Sequence, residues 1–161
     1  MSQNQAHQMI HLKQWLFALW RFWPPFFGSG ISVHILSEDF RHAQTRLKLR
    51  WWNRNYVGTQ FGGSLFSMTD AIYMILFLQN LGSQYIVWDK AATIRFLKPG
   101  TTDVFADFKI TEEILSEIRK TLETQEKMDW KTTVQIKDKN DQVIAEADRI
   151  LYIRKKNPKL R

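Results

Sequence analysis

The chain has 161 residues, 44% of them apolar, which suits one domain with a substantial core. It contains no cysteine, and this excludes a disulfide framework, a thiolate nucleophile and a cysteine-ligated metal. The formal net charge of +7 predicts attraction to anions, so nucleic acid, anionic lipid and a phosphate-bearing cofactor are all candidate partners.

Residues 1–30 predict an amphipathic helix followed by a linker. Apolar side chains recur at helical spacing from Met9 to Trp23, and Pro24-Pro25 then prevents the helix from continuing. The apolar run is too short to span a membrane, and no signal-peptide cleavage site follows it. The helix therefore covers the domain or lies on a membrane surface. The covering role is favoured because an aromatic stripe on a helix is usually core.

Two further features at the ends of the chain carry little functional weight. His7 and His11 have the i, i+4 spacing of metal ligands, but no third ligand stands near them, so no metal site is predicted. Residues 155–161 form a basic tail, and such chain ends are usually solvated and frayed.

Strand and helix patterns alternate through the rest of the chain. Strand patterns, either period-two alternation or an apolar run, predict six strands, at 31–35, 46–51, 86–97, 104–110, 130–136 and 143–153. A long apolar helix is predicted from the Gly62-Gly63 pair to Leu81, and a shorter one after the cap residue Thr111. Because hairpins and meanders favour an antiparallel sheet, the fold class is α+β, with the domain at residues 31–154.

The long helix contains one acid, Asp70. The helix is apolar on every side, so it must be buried on nearly all sides. No cation stands three or four residues from Asp70, and an unpaired buried carboxylate is costly. Either a cation from another strand neutralises Asp70, or this face is wet, or the acid is functional.

Gly62 and Gly63 stand at the predicted start of the helix. Backbone N–H groups are unsatisfied there, and glycines let a ligand oxygen approach them closely. The pair predicts an oxyanion hole or simple close packing, and the acid a few turns away favours the oxyanion hole. A carboxylate beside an anion-stabilising backbone is what acyl transfer to water requires.

The run from Asn55 to Gly63, followed by Asp70, resembles the N-x-x-G-x-x-H-G-G…D/E pattern of hotdog-fold acyl-CoA thioesterases of the phenylacetyl-CoA type. The segment Phe96–Gly100 resembles the turn that ends a strand in that family. Phe61 takes the place of the motif His, as in an uncharacterised branch of the family. The resemblance covers residues 31–153. It implies an antiparallel sheet wrapped around a central helix, and a homodimer or homotetramer with active sites at the dimer interface.

The resemblance also implies roles for individual residues. Asp70 would be nucleophile or general base, the backbone N–H of Gly62 would polarise the thioester carbonyl, and Asn55 would position the thioester or water. The residues expected to bind substrate are Gly63, Phe61, Thr59, Trp88 and Lys98.

Basic residues near the cleft are expected to meet the phosphates of coenzyme A. Besides Lys98, the candidates are Lys90 and Arg95, which strand alternation sends to opposite faces of the sheet. Asp89 is a second acid in this region, assigned to a salt bridge or a strand end.

The leading prediction is a cytoplasmic acyl-CoA thioesterase that needs no metal and no cofactor, since coenzyme A is part of its substrate. A second hypothesis is a non-catalytic hotdog protein that binds acyl-CoA or a fatty acid, because Phe61 cannot form hydrogen bonds. A third is a basic module on an anionic membrane or nucleic acid. It ranks last: no nucleic-acid motif is visible, and membrane association is not expected.

Overall fold

A computed structural model describes residues 22–156. The four helices and six strands of this range follow one another in the order α1 (Pro24–Ser29), β1 (Ile31–Leu36), β2 (His42–Leu47), α2 (Gly62–Ser67), α3 (Ile72–Leu81), β3 (Tyr85–Phe96), β4 (Val104–Lys109), α4 (Glu112–Thr124), β5 (Lys127–Asp138) and β6 (Val143–Lys155). The α+β class predicted from the sequence is therefore confirmed.

The six strands form one sheet in the order β1-β2-β4-β5-β6-β3, and every neighbouring pair is antiparallel. The long strands β5 and β6 are joined by the predicted turn at 138–141 and pair along nearly their whole length. β3 crosses over to the far side of β6, so it lies at one edge of the sheet with its second side unpaired among the described residues. A long unpaired edge is a template for another strand.

The core lies between one face of the sheet and the helices α3 and α4. Phe77 and Leu76 of α3 and Leu115 of α4 are almost completely buried. Aromatic rings tie α3 to the sheet: Trp130 of β5 meets Phe77 edge-on, with ring centroids 4.8 Å apart. Six of the ten residues of α3 are buried, which agrees with the predicted burial of this helix on nearly all sides. The other face of the sheet is polar.

The prediction of a single long central helix is wrong. The chain leaves α2 after Ser67 and re-enters a helix at Ile72, and Ala71 between them has a positive φ of 61°. Side chains replace the helical backbone bonds at this break: the Thr69 hydroxyl donates to the Phe66 carbonyl oxygen, and the Ala71 N–H donates to the Asp70 carboxylate. Asp70 therefore lies on a turn between two helices.

The second strand begins and ends earlier than predicted. β2 ends at Leu47, whereas alternation predicted a strand continuing to Trp51. Asn53 explains the difference, because its side chain accepts from the Arg50 N–H and donates to the Lys48 and Ser29 carbonyl oxygens. These bonds turn residues 48–53 away from the sheet.

Pro24-Pro25 begins helix α1, whereas the sequence predicted a linker there. Proline suits the first turn of a helix, where its missing N–H is not needed. The predicted helix ending at Trp23, with His7 and His11, lies almost entirely outside the described residues, as does most of the basic tail. Other predicted boundaries are confirmed: Gly82 ends α3 at φ 95°, and the Thr111 side chain caps α4 by accepting from the Ile114 N–H.

Candidate functional site

Residues 55–60 form a loop that Asn55 holds together. Its Oδ1 accepts from the Thr59 N–H at 2.9 Å, and its Nδ2 donates to the Thr59 hydroxyl at 2.8 Å. Gly58 sits at φ 86°, a conformation that L side chains rarely adopt. Two of the predicted site residues thus bond to each other, and the loop is formed before any ligand arrives.

α2 begins directly after this loop, at Gly62. Phe61 is the N-cap residue and supplies no side-chain cap; its carbonyl oxygen accepts from the N–H groups of Ser64 and Leu65. The N–H groups of Gly62 and Gly63 lie in the first helical turn, where a helix has no carbonyl to offer them. Their direction and the positive end of the helix dipole favour an oxygen that carries negative charge.

Close packing gives a second reason for both glycines. A Cβ on Gly62 would lie 2.9 Å from Cζ of Phe96, and a Cβ on Gly63 would lie 2.5 Å from Cε1 of Phe61. The Phe61 ring thus folds over Gly63 while remaining half exposed. Both interpretations of the glycine pair are compatible with the structure, because close packing uses the Cα atoms and leaves the N–H groups in the first turn.

A cleft of about 630 Å³ opens beside this helix start. It is lined by the loop, the beginning of α2 and the turn after β3; among the predicted site residues, those that line it are Asn55, Thr59, Gly62 and Lys98. Gln60 joins the loop to the turn after β3, because its N–H donates to the Gly100 carbonyl oxygen at 2.8 Å. Its side-chain amide donates to the Leu47 and Thr102 carbonyl oxygens.

Asp70 is neither unpaired nor deeply buried, in contrast to the helical prediction. Its side chain is 53% exposed, and its Oδ1 accepts from Arg149 Nη1 at 3.0 Å. The sequence left open a cation from another strand and a wet surface as explanations, and both apply. Oδ1 also accepts from the Ala71 N–H, so both bonds within residues 22–156 go to the same oxygen. Oδ2 is left for water or a substrate.

Arg149 is the functional candidate that sequence reasoning missed. Its side chain is 2% exposed; Nη2 donates to the Thr69 hydroxyl and the Phe66 carbonyl oxygen, and Nη1 also reaches Asp89 at 3.4 Å. The sequence does contain a signal for the position of Arg149. Ala145, Ala147 and Leu151 lie on the apolar face of β6, and position 149, two residues after Ala147 and two before Leu151, belongs to the same face. A cation on the core face of a strand needs a buried acid.

Asp89 is the second acid on this guanidinium. Burial raises the pKa of the Asp89 carboxyl above its ordinary value, Arg149 opposes that rise, and the nearby charge of Asp70 adds to it. One buried cation therefore serves two carboxylates of different exposure. The sequence assignment of Asp89 to a salt bridge agrees with this contact.

Asp70 does not line the cleft of its own chain. Arg149, which binds Asp70, stands opposite Ala92 on β3, whereas Phe96 at the cleft stands opposite Ala145. Four residues of strand separate these two levels, which is roughly 13 Å at 3.3 Å per residue. A base must lie within about 3 Å of the atom it deprotonates, and Asp70 is not among the residues that line this cleft.

Three other predicted residues lie on the polar face of the sheet, away from the helices. Trp88 stacks on Tyr152 with ring centroids 4.5 Å apart. Lys90 pairs with Asp129 at 2.6 Å, and Arg95 pairs with Glu146 and Asp148.

The prediction that Lys90 and Arg95 point to opposite faces is wrong, because a bulge between Asp89 and Ala91 resets the alternation. Lys90 and Arg95 are therefore both paired with acids on the polar face. Lys98 is the cation that lines the cleft.

Within residues 22–156 no group of three His, Asp or Glu side chains is arranged to hold a metal ion. No helix of this range is long and apolar enough to cross a bilayer.

The fold is the hotdog fold, as solved structures with similar backbones show. A Pseudomonas aeruginosa protein of unknown function, named as a probable thioesterase, matches with a TM-score of 0.75 at 17% identity, over 89% of this chain and 96% of its own. A Haemophilus influenzae thioesterase matches with a TM-score of 0.59 at 13% identity, over 80% of this chain and 81% of its own. The PaaI protein from the phenylacetic acid degradation operon of Escherichia coli matches with a TM-score of 0.55 at 18% identity, over 80% and 81%.

The chain belongs to the family described as domain of unknown function DUF4442, whose model matches residues 13–153. No protein with a curated description matches the sequence significantly. At identities below 20%, similarity to the solved structures establishes the fold.

Proposed function

We propose that this protein is an acyl-CoA thioesterase that releases a free acid and coenzyme A at a site formed between two subunits. The observation that carries the proposal is Asp70, a half-exposed carboxylate whose orientation a buried arginine fixes. Its Oδ2 accepts no hydrogen bond from residues 22–156, and a general base or nucleophile requires such a free oxygen.

The chemistry needs one acid and one oxyanion site. Asp70 Oδ2 accepts a proton from a water molecule while that water attacks the thioester carbonyl carbon. Alternatively, Oδ2 attacks the carbon itself and forms an acyl–Asp70 anhydride, which water hydrolyses to the free acid after coenzyme A has left. The N–H of Gly62 donates to the carbonyl oxygen as it gains negative charge. The carbon–sulfur bond then breaks, and the thiolate of coenzyme A leaves and takes up a proton.

Two subunits are proposed because Asp70 does not line the cleft of its own chain. The free edge of β3 offers the means of pairing, since two such edges can join antiparallel into one continuous sheet. In that arrangement Asp70 of one subunit faces Gly62 and Asn55 of the other. Similarity to structures named as thioesterases supports the thioesterase reaction, and a cytoplasmic location is proposed with it.

Substrate contacts are proposed from the cleft. Lys98 meets phosphate oxygens of coenzyme A and Thr59 borders the thioester from the cleft wall. Gly63 does not line the cleft; its proposed contact with the thioester is through its N–H in the first turn of α2. The half-exposed ring of Phe61 contacts the acyl group. Trp88 remains a proposal for the second subunit's side of the site, because in its own chain it stacks on the polar face.

Thiol release measured across a panel of acyl-CoA chain lengths tests the proposal. Because the protein has no cysteine, a thiol-reactive dye reports only released coenzyme A. We expect turnover of at least one chain length, and a fall of at least roughly 100-fold in kcat for Asp70→Asn. The matched control is Asp129→Asn, which removes an ion-paired carboxylate on the polar face and should leave kcat unchanged.

Phe61 favours one alternative function. A phenyl ring cannot donate a hydrogen bond to the thioester, so a cleft with Phe61 at its edge also suits a protein that binds acyl-CoA without hydrolysing it. Saturable binding with no turnover of any chain length would establish that alternative. An unchanged rate in Asp70→Asn would remove Asp70 from the mechanism.

A further inference from the structure

The segment from Lys48 to Val57 presents large aromatic side chains to solvent. Trp51 is 79% exposed, Trp52 is 54% exposed, and Tyr56 is fully exposed. Tryptophan and tyrosine rings carry large apolar areas, and a cluster of them on a surface marks a place where something else is bound. None of these three side chains lines the proposed active-site cleft.

This exposure is built into the fold. Asn53, only 7% exposed, bonds the backbone of Lys48 and Arg50 within the segment and ties it to Ser29 at the end of α1. Asn55 closes the following turn through Thr59. Two buried or half-buried amides thus brace the backbone, while the rings of Trp51 and Trp52 before them and of Tyr56 after them turn outward. A braced loop keeps the rings available without paying to order them on binding.

Basic side chains accompany the aromatic ones. Arg50, Arg54 and Lys48 form no salt bridge with any acid in residues 22–156, and no Asp or Glu occurs between positions 39 and 70. Asp103 is close enough to feel the charge of Arg50, but its bonds go to Arg46 and to the Leu49 N–H. Lys48, Arg50 and Trp52 line one groove of about 380 Å³, so charge and ring face the same side there.

We propose that this surface, the aromatic-basic patch, docks the protein onto an anionic lipid bilayer. The patch consists of Lys48, Arg50, Trp51, Trp52, Arg54 and Tyr56. Trp and Tyr rings settle at the boundary between headgroups and acyl chains, where the apolar body is buried and the polar edge stays wet. Lys and Arg beside them are attracted to anionic headgroups. This is peripheral binding by a loop and requires no spanning helix.

The charges of the patch favour a lipid surface over a second copy of the chain. In a two-fold contact of the patch with itself, each of its unpaired cations would face cations, which is unfavourable. The patch also borders the cleft, since Val57 follows Tyr56 directly and lines the cleft wall. A bound bilayer would therefore lie close to the mouth of the proposed acyl site.

Vesicle flotation of the full chain tests the proposal, with phosphatidylcholine vesicles that either contain or lack phosphatidylglycerol. We expect partition onto the anionic vesicles only, weakened by salt. Lys48→Gln with Arg50→Gln should lower the partition coefficient roughly 30-fold, from the attraction of about 1 kcal/mol that each cation contributes. Trp51→Ala with Trp52→Ala should lower it at least roughly tenfold. The charge-matched control, Lys120→Gln with Lys131→Gln, should change it less than about threefold.

Several outcomes would overturn the proposal. They are no partition of the wild type, equal partition onto both kinds of vesicle, and retention of binding in the double tryptophan variant. Dissociation of the double tryptophan variant into smaller species, measured by light scattering, would show that the patch is a contact between copies of the chain. Binding of single-stranded nucleic acid in place of vesicles would make it a nucleic-acid surface. Hydrolysis of a soluble acyl-CoA without vesicles is measured separately, so failure of either proposal leaves the other intact.

Discussion

Replacement of Arg149 by methionine should destabilise the protein in a way that depends on pH. Methionine keeps much of the volume and buries no charge of its own. The variant leaves two carboxylates, Asp70 and Asp89, without their shared cation, and it removes bonds to Thr69 and Phe66. Asp70 can relax into water because it is half exposed, whereas Asp89 is only 19% exposed and cannot.

The magnitude follows from the burial of Asp89. Breaking a buried ion pair by removing one partner costs about 3–5 kcal/mol at neutral pH. Burial already raises the pKa of Asp89, and loss of Arg149 raises it further. The folded variant then holds a proton that the unfolded chain has lost, so stability falls as pH rises from about 4 towards the folded pKa. Each unit of further rise in pKa adds about 1.4 kcal/mol to the loss at neutral pH.

Urea unfolding at about pH 7.5 and about pH 4.5, at one protein concentration, measures both values. We expect the loss in Arg149→Met to be smaller at the acidic pH by at least about 1 kcal/mol. Lys90→Met, which breaks the exposed pair with Asp129, is the control and should cost less than about 1 kcal/mol at both pH values. An equal loss at both pH values would show that Asp89 is not the buried charge.

Two further substitutions test local features of the site. Ala71→Val should lose about 2 kcal/mol more stability than Ala71→Gly, because a β-branched residue is strained at the φ of 61° that Ala71 adopts between α2 and α3. Equal midpoints of urea unfolding for the two variants would show that the break between the helices is not at Ala71. Lys98→Gln should raise KM for acyl-CoA roughly fivefold with kcat unchanged, through a lost phosphate contact, whereas Lys90→Gln should leave both constants as they are. A KM unaffected by Lys98→Gln would exclude that contact.

Local patterns in the sequence were enough to predict most of the sheet. In β4 and β6 the alternation of apolar and polar residues follows the pleat, because one face packs on the core and the other is wet. The cap of α4 was predictable for the same reason, because the Thr111 side chain accepts from an N–H only three residues away. Part of the cleft was predictable for the same reason, since Asn55, Thr59 and Gly62 lie within eight consecutive positions of one loop and helix start.

Long-range contacts account for what the sequence did not predict. The apolar run of the central helix carries no sign of a break, and one of the two side chains that donate to the Phe66 carbonyl oxygen there is Arg149, on the last strand. The strand prediction continued past Leu47 because nothing local signals that Asn53 folds back onto the chain. The bulge between Asp89 and Ala91 is likewise invisible to alternation, and it is what moved Lys90 onto the same face as Arg95.

Complementation between two inactive variants tests the central claim most directly, that Asp70 of one subunit acts with the helix start of the other. Gly62→Ala brings a Cβ 2.9 Å from the Phe96 ring and should block the approach to the N–H while the domain stays folded. Asp70→Asn removes the acid and keeps Gly62. The two variants are purified separately, checked for equal melting temperatures, and allowed to exchange subunits by dilution and reconcentration.

A mixed dimer of these variants contains one doubly damaged site and one intact site. With random exchange of equal amounts, about one quarter of the wild-type rate of thiol release should return. That recovery is the result the shared site predicts. If the mixture shows confirmed subunit exchange and stays as inactive as the separate variants, each site is built from a single chain, and the assignment of Asp70 to the partner's cleft is wrong.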